Sequence, residues 1–328
     1  MLRSLVVIAI ASVTIAASSF AQQGPTTKTF TPEELTARTV YRRAVDAAVW
    51  GQPIVSFDAM RQAYFRDAKA KYNDVIWWPK GAGWKDQSLT VNTSVRYIYF
   101  FFNTRTDGPV VLDLPGSVDG ASFFGTITDA WFVPLVDIGG DGEDQGKGGK
   151  YLVLSPDYQG EVPSGYIPVR PRTYNTYTLV RSILASNSEA DVRKGDELVK
   201  QIKLYPLSKA DNPPEQRFVD MTDILYEGLV SYDESLYTSL AGMLNEEPVN
   251  PRDLQMMGML LPLGIEKGKE FKPDTAMGNG HQVFALTRSA PSHTKLRALG
   301  ASPVDANLES KVLLPLPAVD AVGMNLGV

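Results

Sequence analysis

Two histidines, His281 and His293, are the only imidazoles in 328 residues, and the chain has no cysteine. That scarcity removes most familiar catalytic schemes. A Ser-His-Asp triad needs its histidine held by rigid structure beside a serine. Neither a G-x-S-x-G elbow nor an H-E-x-x-H helix occurs in the sequence. Two histidines twelve apart in a stretch of weak periodicity make a poor zinc or copper site. Without thiols, cysteine-ligated zinc, iron–sulfur clusters and cysteine nucleophiles are excluded. No cofactor is expected.

Carboxylates are what remain for acid–base work. Asp129 lies two residues before Trp131 at the end of a strand-like run. A carboxylate beside an aromatic is a candidate acid or base. Arg181 then serves as an orienting group and Tyr174 as a hydrogen-bond donor, in a carboxylate-dependent hydrolase. A glycosidase needs a second carboxylate facing the same bond. Asp113 or Asp137 is available, but no spacing demands either. Trp131, Tyr99 and Tyr177 are candidate ligand-binding residues, as a platform for a sugar or another small molecule. The plainer alternative has Trp131 in the core and Asp129 capping a turn. Arg181 sits inside an apolar strand and is expected to pair with a carboxylate such as Asp129, because an unpaired buried guanidinium is costly.

Asp137 to Lys150 is a loop of glycine, carboxylate and lysine. Asp137, Asp141 and Asp144 are candidate calcium ligands, but the EF-hand register fails, with glycine at its third and twelfth positions, Gly139 and Gly148. A phosphate loop fits worse. Gly142 and Gly146 are one residue too close, no Ser or Thr follows Lys147, and Glu143 and Asp144 would repel an anion. An exposed hairpin connection with self-paired charges is the simplest reading. Met256, Met257 and Met259 read as core packing on a short helix.

These residues need elements to position them. Thr31-Pro32-Glu33-Glu34 opens a helix with a capping box, and Gly51 and Pro53 are expected to end it. A second helix over roughly residues 55–70 then completes a helical hairpin within 31–74. From Val75 to about residue 210, short runs rich in Val, Ile, Tyr, Phe and Thr recur at 94–102, 109–114, 122–128, 131–136, 150–154, 165–170 and 174–184. Turn residues separate them. That spacing predicts an antiparallel β-sandwich. Helix returns at 188–202, with Ser188 as cap, and a short strand follows at 203–207. Within 211–274, Asp233 caps a helix over 234–245, and Asn250-Pro251 starts another that Gly264 ends. Trp77-Trp78-Pro79 is expected to pack where the hairpin meets the sandwich. The fold class is therefore mainly β with helices, α+β.

The ends carry other information. Residues 1–21 have a basic start at Arg3, an apolar stretch too short to span a bilayer, and Ser19-Phe20-Ala21 before a cleavage point. They read as an export signal, followed by a polar arm over 22–30. The protein is expected in the periplasm or outside the cell, with no membrane span once the signal is removed. A formal charge of −5 without a basic cluster makes nucleic acid a poor partner. A small-molecule ligand and self-association into a homo-oligomer both stay open. Residues 275–328 show scattered Pro and Gly, and only Val312 to Leu316 is a sizeable apolar run.

The stretch from Gly125 through Asp129-Ala130-Trp131, Asp137-Ile138-Gly139, Gly142, Asp144, Gly146 and Lys147-Gly148-Gly149-Lys150-Tyr151-Leu152 to Pro156, Gly160, Pro163, Gly165-Tyr166 and Arg181 resembles the domain of unknown function 1254 family. Val91-Asn92-Thr93, Gly108-Pro109-Val110-Val111-Leu112 and the segment Leu263 to Phe271 also look like that family. The resemblance covers about residues 32–274. It implies a β-sandwich with attached helices, commonly followed by a second, jelly-roll domain, and it implies no biochemical role. After Pro273-Asp274 the sequence departs from the pattern. A truncated member, a frame-shifted product and a divergent short form with little independent function are all compatible with that. Two functional readings follow. The first is an exported, non-catalytic β-sandwich that binds a small ligand or another subunit. The second is the carboxylate-dependent hydrolase.

Overall fold

The structure is a computed structural model, and it describes residues 29–88, 92 and 95–272, with the strand residues 286–287 and 304–305. Residues 1–21, expected as an export signal, most of the polar arm, both histidines and nearly all of the tail 275–328 lie outside the described residues. Within the tail, Leu286–Thr287 pairs in parallel with Val304–Asp305.

Helix α1 runs from Pro32–Asp67 without a break. The expected capping box forms: the Thr31 N–H donates to Glu34 Oε2 at 2.9 Å, and the Glu34 N–H donates to Thr31 Oγ1 at 3.2 Å. The expected helical hairpin does not form, and Gly51 and Pro53 both lie inside α1. Pro53 removes only the bond to the carbonyl four residues back, that of Val49, and Val49 is 68 % exposed, so water can take over. Gly51 is a contact residue. A Cβ there would stand 2.8 Å from Leu240 Cδ1.

The strands follow in chain order: β1 (Val75–Trp77), β2 (Asp86–Gln87), β3 (Arg96–Asn103), then, after the one-turn helix α2 (Thr104–Asp107), β4 (Val110–Leu114), β5 (Ala121–Asp129), β6 (Pro134–Gly139), β7 (Gly149–Val153), β8 (Tyr166–Val169) and β9 (Asn175–Leu184). Helix α3 (Glu189–Val199) is capped by Ser188. Then come β10 (Lys203–Pro206), β11 (Phe218–Asp220), β12 (Tyr226–Glu227), α4 (Glu234–Glu246) and α5 (Leu254–Leu260). Asp233 caps α4, and Gly264 closes the turn after α5 with φ 78°.

A six-stranded sheet has the order β11-β1-β3-β9-β5-β6, and a four-stranded sheet the order β10-β4-β7-β8. A core of Trp77, Phe100, Phe102, Leu112, Phe123, Ile127, Tyr151 and Val180, with their neighbours, fills the space between them. Strand β5 alternates as a half-buried strand should, with Phe123 and Ile127 in and Phe124 and Thr126 out. Strand β3 is buried on both faces because α1, α4 and α5 cover its outer side through Tyr97 and Phe101. The α+β sandwich is thus a three-layer arrangement: helices, large sheet, small sheet.

Two details depart from an all-antiparallel sandwich. The pairs β1–β11 and β7–β8 are parallel. The twelve-residue connection from β7 to β8 is long enough to carry the chain back to the starting end of the sheet, which a hairpin turn cannot do. The strand expected at 131–136 also starts later, at Pro134. The Asp129 carboxylate accepts the N–H groups of Trp131 and Val133 at 2.8 and 3.0 Å, which folds the intervening residues into a turn with Phe132 at φ 55°. Trp78 packs where the helices meet the large sheet, as expected.

Candidate functional site

The last two turns of α1, Tyr72 in the loop that follows, and the end of α4 border an open cavity of about 470 Å³ lined by Arg61, Gln62, Phe65, Arg66, Tyr72 and Glu246. Each position follows from local structure. Asp58, Arg61, Gln62 and Phe65 are three and four apart on α1 and share one side of it. Glu246 ends α4, and Asn175 starts β9, the central strand of the large sheet.

Arg61 organises the wall. Its Nη2 donates to Asp58 Oδ1 at 2.6 Å, and its Nη1 to Glu246 Oε2 at 2.9 Å and to the Tyr72 hydroxyl at 2.7 Å. The Tyr72 hydroxyl donates onward to Asn175 Oδ1 at 2.7 Å, and Asn175 Nδ2 donates to Glu246 Oε2 at 2.9 Å and Glu247 Oε1 at 2.6 Å. Asp58 is 2 % exposed, and its second oxygen accepts from Gln62 Nε2 and Ser239 Oγ, each at 2.6 Å. A buried charge is tolerable only when paired and hydrogen-bonded, and this network meets both conditions.

Electrostatics reinforce the arrangement. Burial opposes the charge on Arg61, but Glu246, Tyr72 and Asp58 outweigh it and hold the guanidinium above its ordinary value. Burial pushes the Tyr72 phenol up, against the pull of Arg61. Burial also raises the Glu247 carboxyl, although Asn175 and the backbone N–H groups of Asn175 and Tyr174 pull it down. Lys267 closes the far side of α4 by donating to the carbonyls of Leu244 at 2.8 Å and Glu247 at 2.5 Å, the dipole-matched place for a cation.

None of the residues singled out in the sequence lines this cavity, and Asp129 and Arg181 do not converge. Asp129 pairs in register with Thr176, whereas Arg181 pairs with Phe124. Five strand residues separate those positions, about 16 Å. The expected Asp129–Arg181 ion pair is therefore absent. Arg181 instead lies over the rings of Tyr97 and Phe124, at 5.6 and 5.9 Å from their centroids. Burial raises the Asp129 carboxyl, while its two turn N–H donors lower it, so Asp129 organises a turn. Tyr174 donates to Asp157 at 3.4 Å and sits beneath Arg105 at 5.6 Å. Trp131 is half-buried and packs on Trp50 at 4.7 Å, at the edge of the helical core. Tyr99 and Tyr177 lie 5.4 Å apart in a cluster under α1.

The acidic loop holds its carboxylates in separate tasks. Asp144 is buried, and its two oxygens accept the N–H groups of Gly139 at 2.8 Å and Gly148 at 3.1 Å, pinning both ends of the loop. Asp137 accepts from Thr126 at 2.7 Å, and Asp141 is exposed. Among the described residues, no group of three or more His, Cys, Asp or Glu is placed to hold a metal ion. The cavity residues were missed in sequence because they come from α1, a loop, β9 and α4. The available signal was Asp58 and Arg61, two charges three apart on the apolar side of an otherwise core-facing helix.

Residues 72–206 match the model of a family described as Protein of unknown function (DUF1254). That span includes Tyr72 and Asn175 of the network, and leaves Arg61 and Glu246 outside. Among solved structures, the VPA0106 protein from Vibrio parahaemolyticus is similar at 16 % identity with a TM-score of 0.52, over 75 % of this chain and 56 % of that one. At that identity the likeness concerns the fold alone. An uncharacterized protein from Burkholderia cenocepacia aligns at 13 % identity over 56 % of this chain and 49 % of that one, with a TM-score of 0.28. The chain thus spans about half the length of these solved proteins. No curated protein matches it.

Proposed function

We propose, on the premise that residues 72–206 carry the fold of that family, that this is an exported, non-catalytic protein whose cavity between α1, Tyr72 and α4 takes up a small molecule. One observation carries the reading. An open cavity of about 470 Å³ is backed by Arg61, Tyr72 and Glu246, which hold one another in place by hydrogen bonds. Its volume falls in the range of small-molecule sites, roughly 300–1,000 Å³. A wall fixed before the ligand arrives spares the cost of ordering those side chains on binding. The hydrolase reading has less support. Glu246 reaches the cavity, but Arg61 and Asn175 hold it, and Asp58 turns its free oxygen toward Gln62 and Ser239.

A thermal-shift screen against sugars, carboxylates and amines tests the binding reading, because a ligand selective for the native state raises its apparent stability. At least one class is expected to raise the melting temperature of the wild type, and Gln62→Trp, which fills the cavity from an exposed position, is expected to abolish that shift. A shift of equal size in Gln62→Trp would place the ligand elsewhere. Export is tested by the amino terminus of the protein recovered from the periplasm or medium. The expected first residue is Gln22. A full-length cytosolic product would remove export from the proposal.

A further inference from the structure

We infer that the cavity ligand is a neutral, polyhydroxylated molecule, of the size of about one or two sugar rings; this rests on the cavity reading above. The argument begins with charge. The two guanidiniums at the cavity, Arg61 and Arg66, are matched by three carboxylates. Asp58 and Glu246 hold Arg61 at 2.6 and 2.9 Å, and Asp67 holds Arg66 at 2.6 Å. An anion entering here meets guanidiniums that are already committed to Asp58, Glu246 and Asp67. A cation meets Glu246 only in competition with Arg61. Either ion would find counter-charges that are already paired, so it would gain little net attraction at a site open to water.

The open valences point the same way. Among the described residues, the exposed Gln62 Oε1 has no protein donor and Arg66 Nη1 no protein acceptor, since Arg66 spends Nε and Nη2 on Asp67 and Nη2 also on the Glu227 carbonyl. Glu246 Oε1 receives only a long contact of 3.4 Å from Arg61 Nη2. Acceptors and a donor therefore line the same cavity. A hydroxyl both donates and accepts, so a molecule with several of them can satisfy this mixture, whereas a carboxylate can only accept and an ammonium can only donate. The remaining wall is Phe65, a half-buried ring set edge-on to Tyr72 at 5.0 Å. It offers an apolar surface to the C–H face of a ring that carries its hydroxyls at the rim.

Titration calorimetry of the folded wild-type protein with neutral mono- and disaccharides, linear polyols, short carboxylates and alkylamines tests the class. At least one neutral polyol is expected to bind, with an affinity that changes less than twofold between low and high salt, because no net ion pair forms. Gln62→Leu and Phe65→Leu should each weaken it about tenfold, the size of one lost hydrogen bond or aromatic contact. Circular dichroism and the melting temperature confirm that both variants are folded. Binding confined to carboxylates or amines, with steep salt dependence and loss in Gln62→Trp, would overturn the polyol class and leave the cavity standing. Polyol binding that persists undiminished in Gln62→Trp would overturn the cavity reading itself, and this inference with it.

Discussion

Replacing Arg61 with Met should destabilise the protein by about 3–5 kcal/mol, the cost of removing one partner from a buried ion pair. Arg61 is 12 % exposed and Asp58 4 %, measured on their side chains, so water cannot replace the guanidinium at Asp58. Glu246 is 41 % exposed and can turn outward, which places the expected loss toward the lower end of the range. Asp58 would keep only Gln62 and Ser239 as donors for a full negative charge. The double variant Arg61→Met with Asp58→Asn should recover a good part of the loss, because the orphaned charge is removed as well. Urea unfolding monitored by circular dichroism measures both, and an unchanged slope would confirm that stability alone has shifted. A single-variant loss below about 1 kcal/mol would mean that the network contributes little and that its wall is not pre-set.

Trp78→Ala should cost about 3–5 kcal/mol by creating a cavity. Trp78 is 2 % exposed and stands among Tyr99, Tyr64 and Tyr226, with ring centroids at 4.9, 6.0 and 6.3 Å. Its indole N–H donates to Asp86 Oδ1 at 2.6 Å, while the other Asp86 oxygen accepts the Gly83 N–H at 2.5 Å. Truncation empties the space and leaves one oxygen of a buried carboxylate unmet. Trp78→Phe separates the two effects. It keeps most of the ring and loses the N–H, for an expected cost of about 1–3 kcal/mol. Equal losses in the two variants would show that the hydrogen bond, and not the packed volume, dominates at this position.

Period and burial explain why the strands were legible. The apolar residues alternate in β5 and run nearly unbroken in β3, and both patterns follow from how many layers cover a strand. The capping residues Thr31, Ser188 and Asp233 were equally readable, because a cap is a local hydrogen bond. Failures came where a residue's meaning depends on distant neighbours. Gly51 looks like a helix stop and is a contact with Leu240. Arg181 looks as though it needs a carboxylate and is met by two rings, because register, which no local pattern reports, sets what stands beside it. The network behind the cavity unites Arg61, Tyr72, Asn175 and Glu246, residues as much as 185 positions apart. Only Asp58 and Arg61 left a trace, as charges on a face that should have been apolar.

Helix α1 spans 36 residues, yet its first fully buried side chain is Ala47. At about 1.5 Å per residue it is a rod of about 54 Å, anchored by its rear half and lightly held at its front. Mechanical load or a bulky fusion applied at the front would unwind those leading turns before any strain reached the cavity. Protein engineers could therefore attach a label, a surface tether or a partner domain at that end and leave the packed rear half of the helix undisturbed.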